Sequence, residues 1–325
     1  MTILITGGAG YIGSHMTRML RRVGFDVLVL DDLSTGFESA LLGSNWIKGS
    51  IGDERLLESV FERHSISAVM NFASFIAVGE SVTNPSKYYR NNVANTLTLL
   101  EVMRRFGVLR YIFSSTAAIF GNPVSVPISE NNESAPINPY GHSKHMIEQV
   151  LDDFDLAYGL KSVSIRYFNA AGADPAGLLG ERHNPETHLI PLVLQVAAGR
   201  REKIAIYGDN YDTPDGTCLR DYVHVQDICT AHLLSLQHLL EEGGSRRYNL
   251  GNGTGFSVRE VIKEAQQITR RSIPVRVEPR REGDSAKLIA DSRLIIEELG
   301  WRPKRSDLAT ILEDAWVWEL KWPWQ

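Results

Sequence analysis

The stretch Thr2-Ile3-Leu4-Ile5-Thr6-Gly7-Gly8-Ala9-Gly10-Tyr11-Ile12-Gly13 decides the fold. An apolar, strand-like run enters a turn with glycines at 7, 10 and 13, and a helical pattern follows. Gly7 permits a tight turn, Gly10 lets the backbone approach a pyrophosphate, and Gly13 lets the helix pack closely on the sheet. The pyrophosphate would sit on unpaired N–H groups at the positive end of the helix dipole. Glycine turns are common, so the pattern gains weight from the acidic pair further along the chain. The next strand, 27–30, ends in Asp31-Asp32. An acid there accepts hydrogen bonds from the adenosine ribose and repels a 2′-phosphate, which favours NAD over NADP.

Outward from this turn, strands are expected at 3–6, 27–30, 46–48, 68–72, 111–114 and 162–166, with helices at 13–23, 53–64, 85–106 and 139–158. Such alternation implies an α/β fold, a doubly wound parallel (Rossmann) sheet covered on both faces. The second half is richer in Gly, Asp and Pro, as in 174–184 and 208–216. One further strand-helix unit, 222–225 then 226–240, is expected to return to the first sheet. The chain therefore divides into an NAD-binding domain, 1–168 plus 221–247, and a smaller α/β C-terminal substrate lobe, 169–220 plus 248–325. The tail carrying Trp316, Trp318, Trp322 and Trp324 reads as a last helix packing on its own domain.

Composition narrows the function. The 325 residues are 43% hydrophobic and 22% charged, with a net charge of −5 from 34 basic and 39 acidic residues. No basic excess points to nucleic acid or an anionic membrane, so a phosphate-bearing ligand must be held by local groups. Cys218 and Cys229 supply neither a disulfide framework nor a C-x-x-C metal motif, and no metal is expected. With no signal-like segment and no apolar run near the ~20 residues of a membrane span, a soluble cytoplasmic protein is expected.

The catalytic candidate is Asn138-Pro139-Tyr140-Gly141-His142-Ser143-Lys144. Asn138 can cap a helix and Pro139 suits its first turn. Tyr140 and Lys144, four apart, share a helix face. A free phenol, with a pKa of ~10, is a poor base at neutral pH. An ammonium about 5 Å away contributes roughly 3 kcal/mol at an effective dielectric of ~20, enough to lower the phenol by about two pH units. The preceding strand ends in Ser115-Thr116, where a hydroxyl can bond a reacting sugar. Ligands in such sheets bind beyond the carboxyl ends of the strands.

With these motifs in hand, the chain resembles the extended short-chain dehydrogenase/reductase family and, within it, the UDP-glucose 4-epimerases. The resemblance runs nearly end to end, through TGGAGYIGSH (6–15), FIAVGESV (75–82), YYRNNV (88–93), FSST (113–116), NPYGHSK (138–144), RYFNAAGA (166–173), DGTCLRDYVHV (215–225), YNLGNG (248–253) and RREGD (280–284). It implies reversible C4 epimerisation of a UDP-hexose through a transient 4-keto sugar, with tightly bound NAD and a homodimer built on 85–106 and 139–158. It makes Tyr140 the acid/base, Lys144 its partner and Thr116 the hydrogen-bonding group for the sugar 4-OH. NAD would contact Gly7, Gly10, Tyr11, Ile12, Gly13, Asp31, Asp32, Ile51, Phe72, Ala73, Asn91, Ser114 and Tyr167, besides Tyr140 and Lys144. The UDP-sugar would contact Asn169, His188, Leu189, Tyr207, Arg220, Arg281, Asp284 and Leu288, besides Thr116. Arg220 and Arg281 suit a diphosphate, which arginine binds bidentately.

The chain departs from the family pattern in places. Gly49-Ser50 replaces a usual Gly-Asp near the adenine. Ile76 stands where lysine is frequent, Phe120 where tyrosine is, and His188 where asparagine is. Leu288 occupies the position that gates the sugar pocket, which leaves a UDP-N-acetylhexosamine or UDP-pentose 4-epimerase as the alternative. A nucleotide-sugar 4,6-dehydratase would carry Asp-Glu after the strand-end threonine, whereas Ala117-Ala118 follow Thr116 here. A non-catalytic NAD-binding module would have no reason to combine Tyr140, Lys144 and Thr116.

Overall fold

A computed structural model describes residues 1–281, 284–321 and 323. The chain forms two compact units, one of 1–121, 133–166 and 229–248, the other of 122–132, 167–228 and 249–325.

The first unit starts with β1 (Thr2–Thr6), α1 (Tyr11–Arg22), β2 (Asp26–Asp31), β3 (Trp46–Lys48), α2 (Glu54–Arg63) and β4 (Ile66–Asn71). It continues through α3 (Val78–Thr83), α4 (Pro85–Tyr88), α5 (Asn95–Arg105), β5 (Arg110–Thr116), α6 (Pro139–Tyr158) and β6 (Lys161–Tyr167). Beyond β6 the chain forms β7 (Asn169–Ala171), α7 (Leu189–Ala197), β8 (Ile204–Tyr207), β9 (Leu219–Arg220), β10 (Tyr222–His224), α8 (Val225–Leu240) and β11 (Arg246–Leu250). The last elements are β12 (Phe256–Ser257), α9 (Val258–Thr269), β13 (Val275–Glu278), β14 (Lys287–Leu288), α10 (Arg293–Leu299) and α11 (Leu308–Glu319).

Seven strands form the main sheet in the order β11-β6-β5-β4-β1-β2-β3. Pairing is parallel from β3 through β2, β1 and β4 to β5. This is the doubly wound order, with its topological switch between β1 and β4. Strands buried on both faces read as continuous apolar runs, and Ile3, Leu4, Ile5, Val29, Val69 and Met70 have no exposed surface. Leu57 and Val60 of α2, Leu99 and Met103 of α5 and Ile147 and Leu151 of α6 join Leu4 and Val69 in one apolar core.

Two expectations change here. The helix expected over 85–106 is interrupted, because Tyr89–Ala94 form a π-helical turn between α4 and α5. The turn presents Asn92, whose Oδ1 accepts from Phe75 N at 3.0 Å while Nδ2 donates to Ser143 Oγ at 3.0 Å. The strand at 222–225 does not return to the first sheet: β10 pairs with β7 in a separate two-stranded ribbon. The strand beside β6 is β11, whose apolar side chains, Tyr248 and Leu250, are fully buried while its first residue, Arg246, is exposed.

The second unit packs α7, α9 and α11 around Val193, Leu194, Val261, Ala265, Ile311 and Leu312. Helix α9 opens with a reciprocal capping box between Ser257 and Glu260, which satisfies two otherwise orphaned N–H groups. Trp316 of α11 packs on this core and Trp318 donates to the Glu181 carbonyl at 3.0 Å, as a helix docked on its own domain should. Trp322 and Trp324 lie outside the described residues. No described helix is long and apolar enough to cross a membrane.

Candidate active site

The glycine turn of the first unit is built by contacts no side chain would permit. Gly7 has φ +73°, and a Cβ there would lie 2.5 Å from Ala73 N and 2.6 Å from Phe72 C. The end of β1 thus presses on the chain leaving β4, bringing Phe72 and Ala73 to the turn. A Cβ on Gly13 would lie 2.2 Å from Gly7 O, so only glycine lets α1 start this close. Gly10 differs, since its Cβ would meet only Gly7 O, at 3.3 Å. The chain's own packing barely demands a glycine there, whereas a ligand approaching the backbone would. Gly10 is also the N-cap of α1 and supplies no capping side chain. The helix start carrying Tyr11, Ile12 and Gly13 therefore offers its amides to an anion.

Asp31 closes β2. Its carboxylate accepts from Ala9 N and Leu33 N, each at 2.8 Å, which ties the glycine turn to the next loop. Burial raises its pKa, against the lowering by those two backbone donors. Asp32 is exposed and accepts from Ser34 N at 2.8 Å. Ile51 is buried just past β3, and Ser50 bonds the Gly52 amide at 3.1 Å instead of reaching outward. Asn91 lies in the π-helical turn and donates to Asn92 Oδ1 at 3.0 Å. Tyr167 is the half-buried last residue of β6.

The Tyr-Lys helix begins as its sequence implies. Asn138 Oδ1 accepts from Gly141 N at 2.9 Å and Pro139 takes the first turn. Gly141 lets the helix start press on the exit of β5, since a Cβ there would be 2.7 Å from Ala118 O. This sets Tyr140 beside Thr116, whose hydroxyl acts to lower the phenol's pKa. Thr116 Oγ1 also accepts from Ala118 N at 3.1 Å. One helical turn on, Lys144 donates to the Ser114 carbonyl at 2.8 Å and lies 4.8 Å from the Phe113 ring centroid.

The electrostatics correct one expectation. Burial pushes the Tyr140 phenol above its ordinary value, and the Thr116 hydroxyl pulls it back only in part. Lys144, also buried, is drawn down to about 7, with Glu148 acting the other way. Desolvation of both groups outweighs the attraction that the four-residue spacing suggested, because the lysine is turned to a carbonyl.

Several supporting residues were not singled out from the sequence. Ser143 Oγ donates to Tyr140 O at 2.7 Å and accepts from Asn92, fixing the helix start. Glu148, 1% exposed, takes two bonds from Arg166, at 2.9 and 2.6 Å, and one from Ser115 Oγ at 2.6 Å. Glu148 recurs four residues after Lys144, so the i, i+4 rule was the available clue.

The candidates of the second unit fall into small groups. Arg220 pairs with Leu288 in the parallel β9–β14 register, and its guanidinium donates to Ser285 O at 2.8 Å and lies 3.4 Å from Asp284. Arg281 stacks on the Tyr207 ring, 3.7 Å from its centroid. Arg220 thus spends Nη1 on backbone carbonyls and pairs Nη2 with the Asp284 carboxylate, while Arg281 lays its guanidinium face on the ring. Glu282 and Gly283 of the RREGD motif lie outside the described residues. Asn169 Nδ2 donates to Asp221 O at 2.9 Å. His188 caps α7 ahead of Leu189, with its Nδ1 2.5 Å from Glu181 Oε1, and the neighbouring carboxylate raises its pKa against the lowering by burial.

A doubly wound sheet with a Gly-lined turn at β1, an acid closing β2 and a buried Tyr-Lys pair defines a nicotinamide-dinucleotide-dependent enzyme. The chain belongs to the NAD dependent epimerase/dehydratase family, which it matches over residues 3–251. It is 51% identical to the UDP-glucose 4-epimerase of Halalkalibacterium halodurans, over 99% of this chain and 97% of that protein. The Brucella ovis UDP-glucose 4-epimerase, solved in complex with NAD, superposes with a TM-score of 0.95 at 47% identity, over 97% of each chain. The Bifidobacterium longum enzyme, solved with NAD+ and UDP, gives 0.94 at 39% identity, over 99% of each. The open cradle at Gly10 and the uncapped start of α1 fit the dinucleotide that the family uses.

Proposed function

We propose that this protein interconverts UDP-glucose and UDP-galactose by inverting C4 of the hexose. The observation that carries the reading is the buried Tyr140 phenol, beside Thr116 at the carboxyl end of β5 with Lys144 one turn along the same helix. Bound NAD supplies the acceptor and donor of hydride at the sugar carbon. Tyr140 takes the proton of the 4-OH and later returns it to the keto oxygen of the turned sugar. Thr116 holds the hydroxyl in line, and the ammonium of Lys144 stabilises the phenolate as it forms. Gly7, Gly10, Gly13 and Asp31 hold the dinucleotide. Arg220 and Arg281 bind the diphosphate, so anchoring falls on UDP and leaves the hexose free to turn. Ala117-Ala118 after Thr116 provide no acid or base for eliminating water, which disfavours a 4,6-dehydratase.

The two buried cysteines, neither of them in a disulfide, suit a reducing cytoplasm. Leu156 and Met146, 91% and 42% exposed on α6, suit a homodimer contact on that helix; sedimentation of a monomer would reject it. For the activity itself, the protein is offered UDP-glucose, UDP-galactose and their N-acetyl counterparts, and the products are identified. Interconversion of the unacetylated pair is expected. Turnover confined to the N-acetyl sugars, or none, would overturn the assignment.

A further inference from the structure

The loop ahead of α7 converges four side chains of metal-binding type. One nitrogen or carboxylate oxygen from each of Glu181, His183, Glu186 and His188 lies within 4.8 Å of the other three. His183 Nδ1 stands 3.4 Å from Glu181 and 3.4 Å from Glu186. His188 Nδ1 stands 2.5 Å from Glu181 and 3.6 Å from Glu186. Four ligands about 2.0–2.1 Å from a tetrahedral zinc ion are separated from one another by about 3.4 Å. The two His183 separations match that figure, whereas His188 and Glu181 stand closer and would part to share an ion.

The details favour a cation over a plain ion-pair cluster. Both carboxylate side chains are only 7% exposed, so two anions are buried side by side and draw in positive charge, which either two protonated imidazoles or a bound cation would supply. His183 Nδ1 is buried and makes no hydrogen bond. An ordinary imidazole–carboxylate pair would close to about 2.8 Å on one partner, yet this nitrogen is held equally far from both. The Glu186 carboxylate is pre-oriented by Thr187 N and His188 N at 2.8 and 2.9 Å, the backing that ligating carboxylates receive. His188, 48% exposed, leaves a way in for an ion.

We propose that Glu181, His183, Glu186 and His188 bind one first-row divalent cation of the zinc class. Two imidazoles and two carboxylates select zinc, cobalt or nickel over magnesium and calcium. Four protein ligands leave no open position, so the ion is structural. It clamps the loop to the start of α7 and fixes the place of His188 and Leu189. The inference stands independently of the epimerase reading.

The test uses full-length protein without a polyhistidine tag, stripped with a chelator and titrated with Zn²⁺, with metal content read by mass spectrometry. One ion per chain is expected. His183→Ala and Glu186→Gln should each weaken binding at least about 100-fold, the upper end of what loss of an outer partner alone costs. Binding that these substitutions leave unchanged, or no retained ion, would overturn the proposal. Should the variants fail to fold, Co²⁺ loaded into the unaltered chain decides. A four-coordinate visible spectrum with two imidazoles in the X-ray absorption shell supports the site; six-coordinate cobalt without imidazole rejects it.

Discussion

Glu148→Gln removes one buried charge and almost nothing else. In the native chain this carboxylate is the group that holds the Lys144 pKa up against burial, which draws it down to about 7 even so. Residues four apart on a helix face place such charges roughly 6 Å apart, and at an effective dielectric of ~20 their attraction is about 3 kcal/mol. Removing it should lower the lysine by between one and two pH units. Arg166, 4% exposed and bidentate to Glu148, is left with its charge unmatched and pushes the same way. If the ammonium of Lys144 supports the phenolate, the alkaline limb of kcat/KM moves to lower pH by that amount. The assay is the pH profile of UDP-galactose turnover, with bound NAD measured alongside. The variant should be about 10–100-fold slower than the parent at pH 8.5, the deficit narrowing toward pH 6. A profile of unchanged shape, merely scaled down at every pH, would show that Glu148 only braces the fold and would refute the reasoning.

Three further outcomes rest on the same geometry. Tyr140→Phe should lose on the order of 10²–10⁴ in kcat, the range for a positioned acid/base, while purified protein still carries NAD; turnover within a few-fold of the parent would remove Tyr140 from the reaction. Gly13→Ala drives a methyl to 2.2 Å from Gly7 O, so the turn and α1 must part, and the protein should be isolated with little NAD; full occupancy by absorbance would contradict the cradle. Lys144, held at about 7 in the folded chain and 10.5 when unfolded, carries fewer protons folded than unfolded between those values. Its burial therefore costs stability below pH 7, a cost relieved as pH rises toward 10.5. Lys144→Met should raise the urea midpoint at pH 6 more than at pH 10, and an equal change at both would deny the buried ammonium.

The parts legible in the sequence were those whose chemistry is local. Gly7 and Gly13 announce a turn because backbone contacts within a few residues exclude a side chain. Asn138, Pro139, Tyr140 and Lys144 announce a capped helix with two reactive groups on one face. What stayed hidden depended on distant partners. The π-helical turn at 89–94 makes sense only once Asn92 meets Phe75 and Ser143. The pairing of β11 beside β6 rests on a strand whose first residues, Arg246 and Arg247, read as surface. Spacing suggested that Lys144 acidifies Tyr140, but spacing carries no information on desolvation, which decides the direction of both pKa values. Glu181, His183 and Glu186 carried no reading in the sequence, and His188 only that of a substrate contact, until the chain folds all four to a point.

The central claim is that hydride leaves and returns to the same carbon without escaping the protein. UDP-galactose deuterated at C4 tests it directly. The UDP-glucose formed should keep the deuterium at C4 through many turnovers in ordinary water. Product carrying protium there, with label released to solvent, would contradict the internal cycle and the role given to Tyr140.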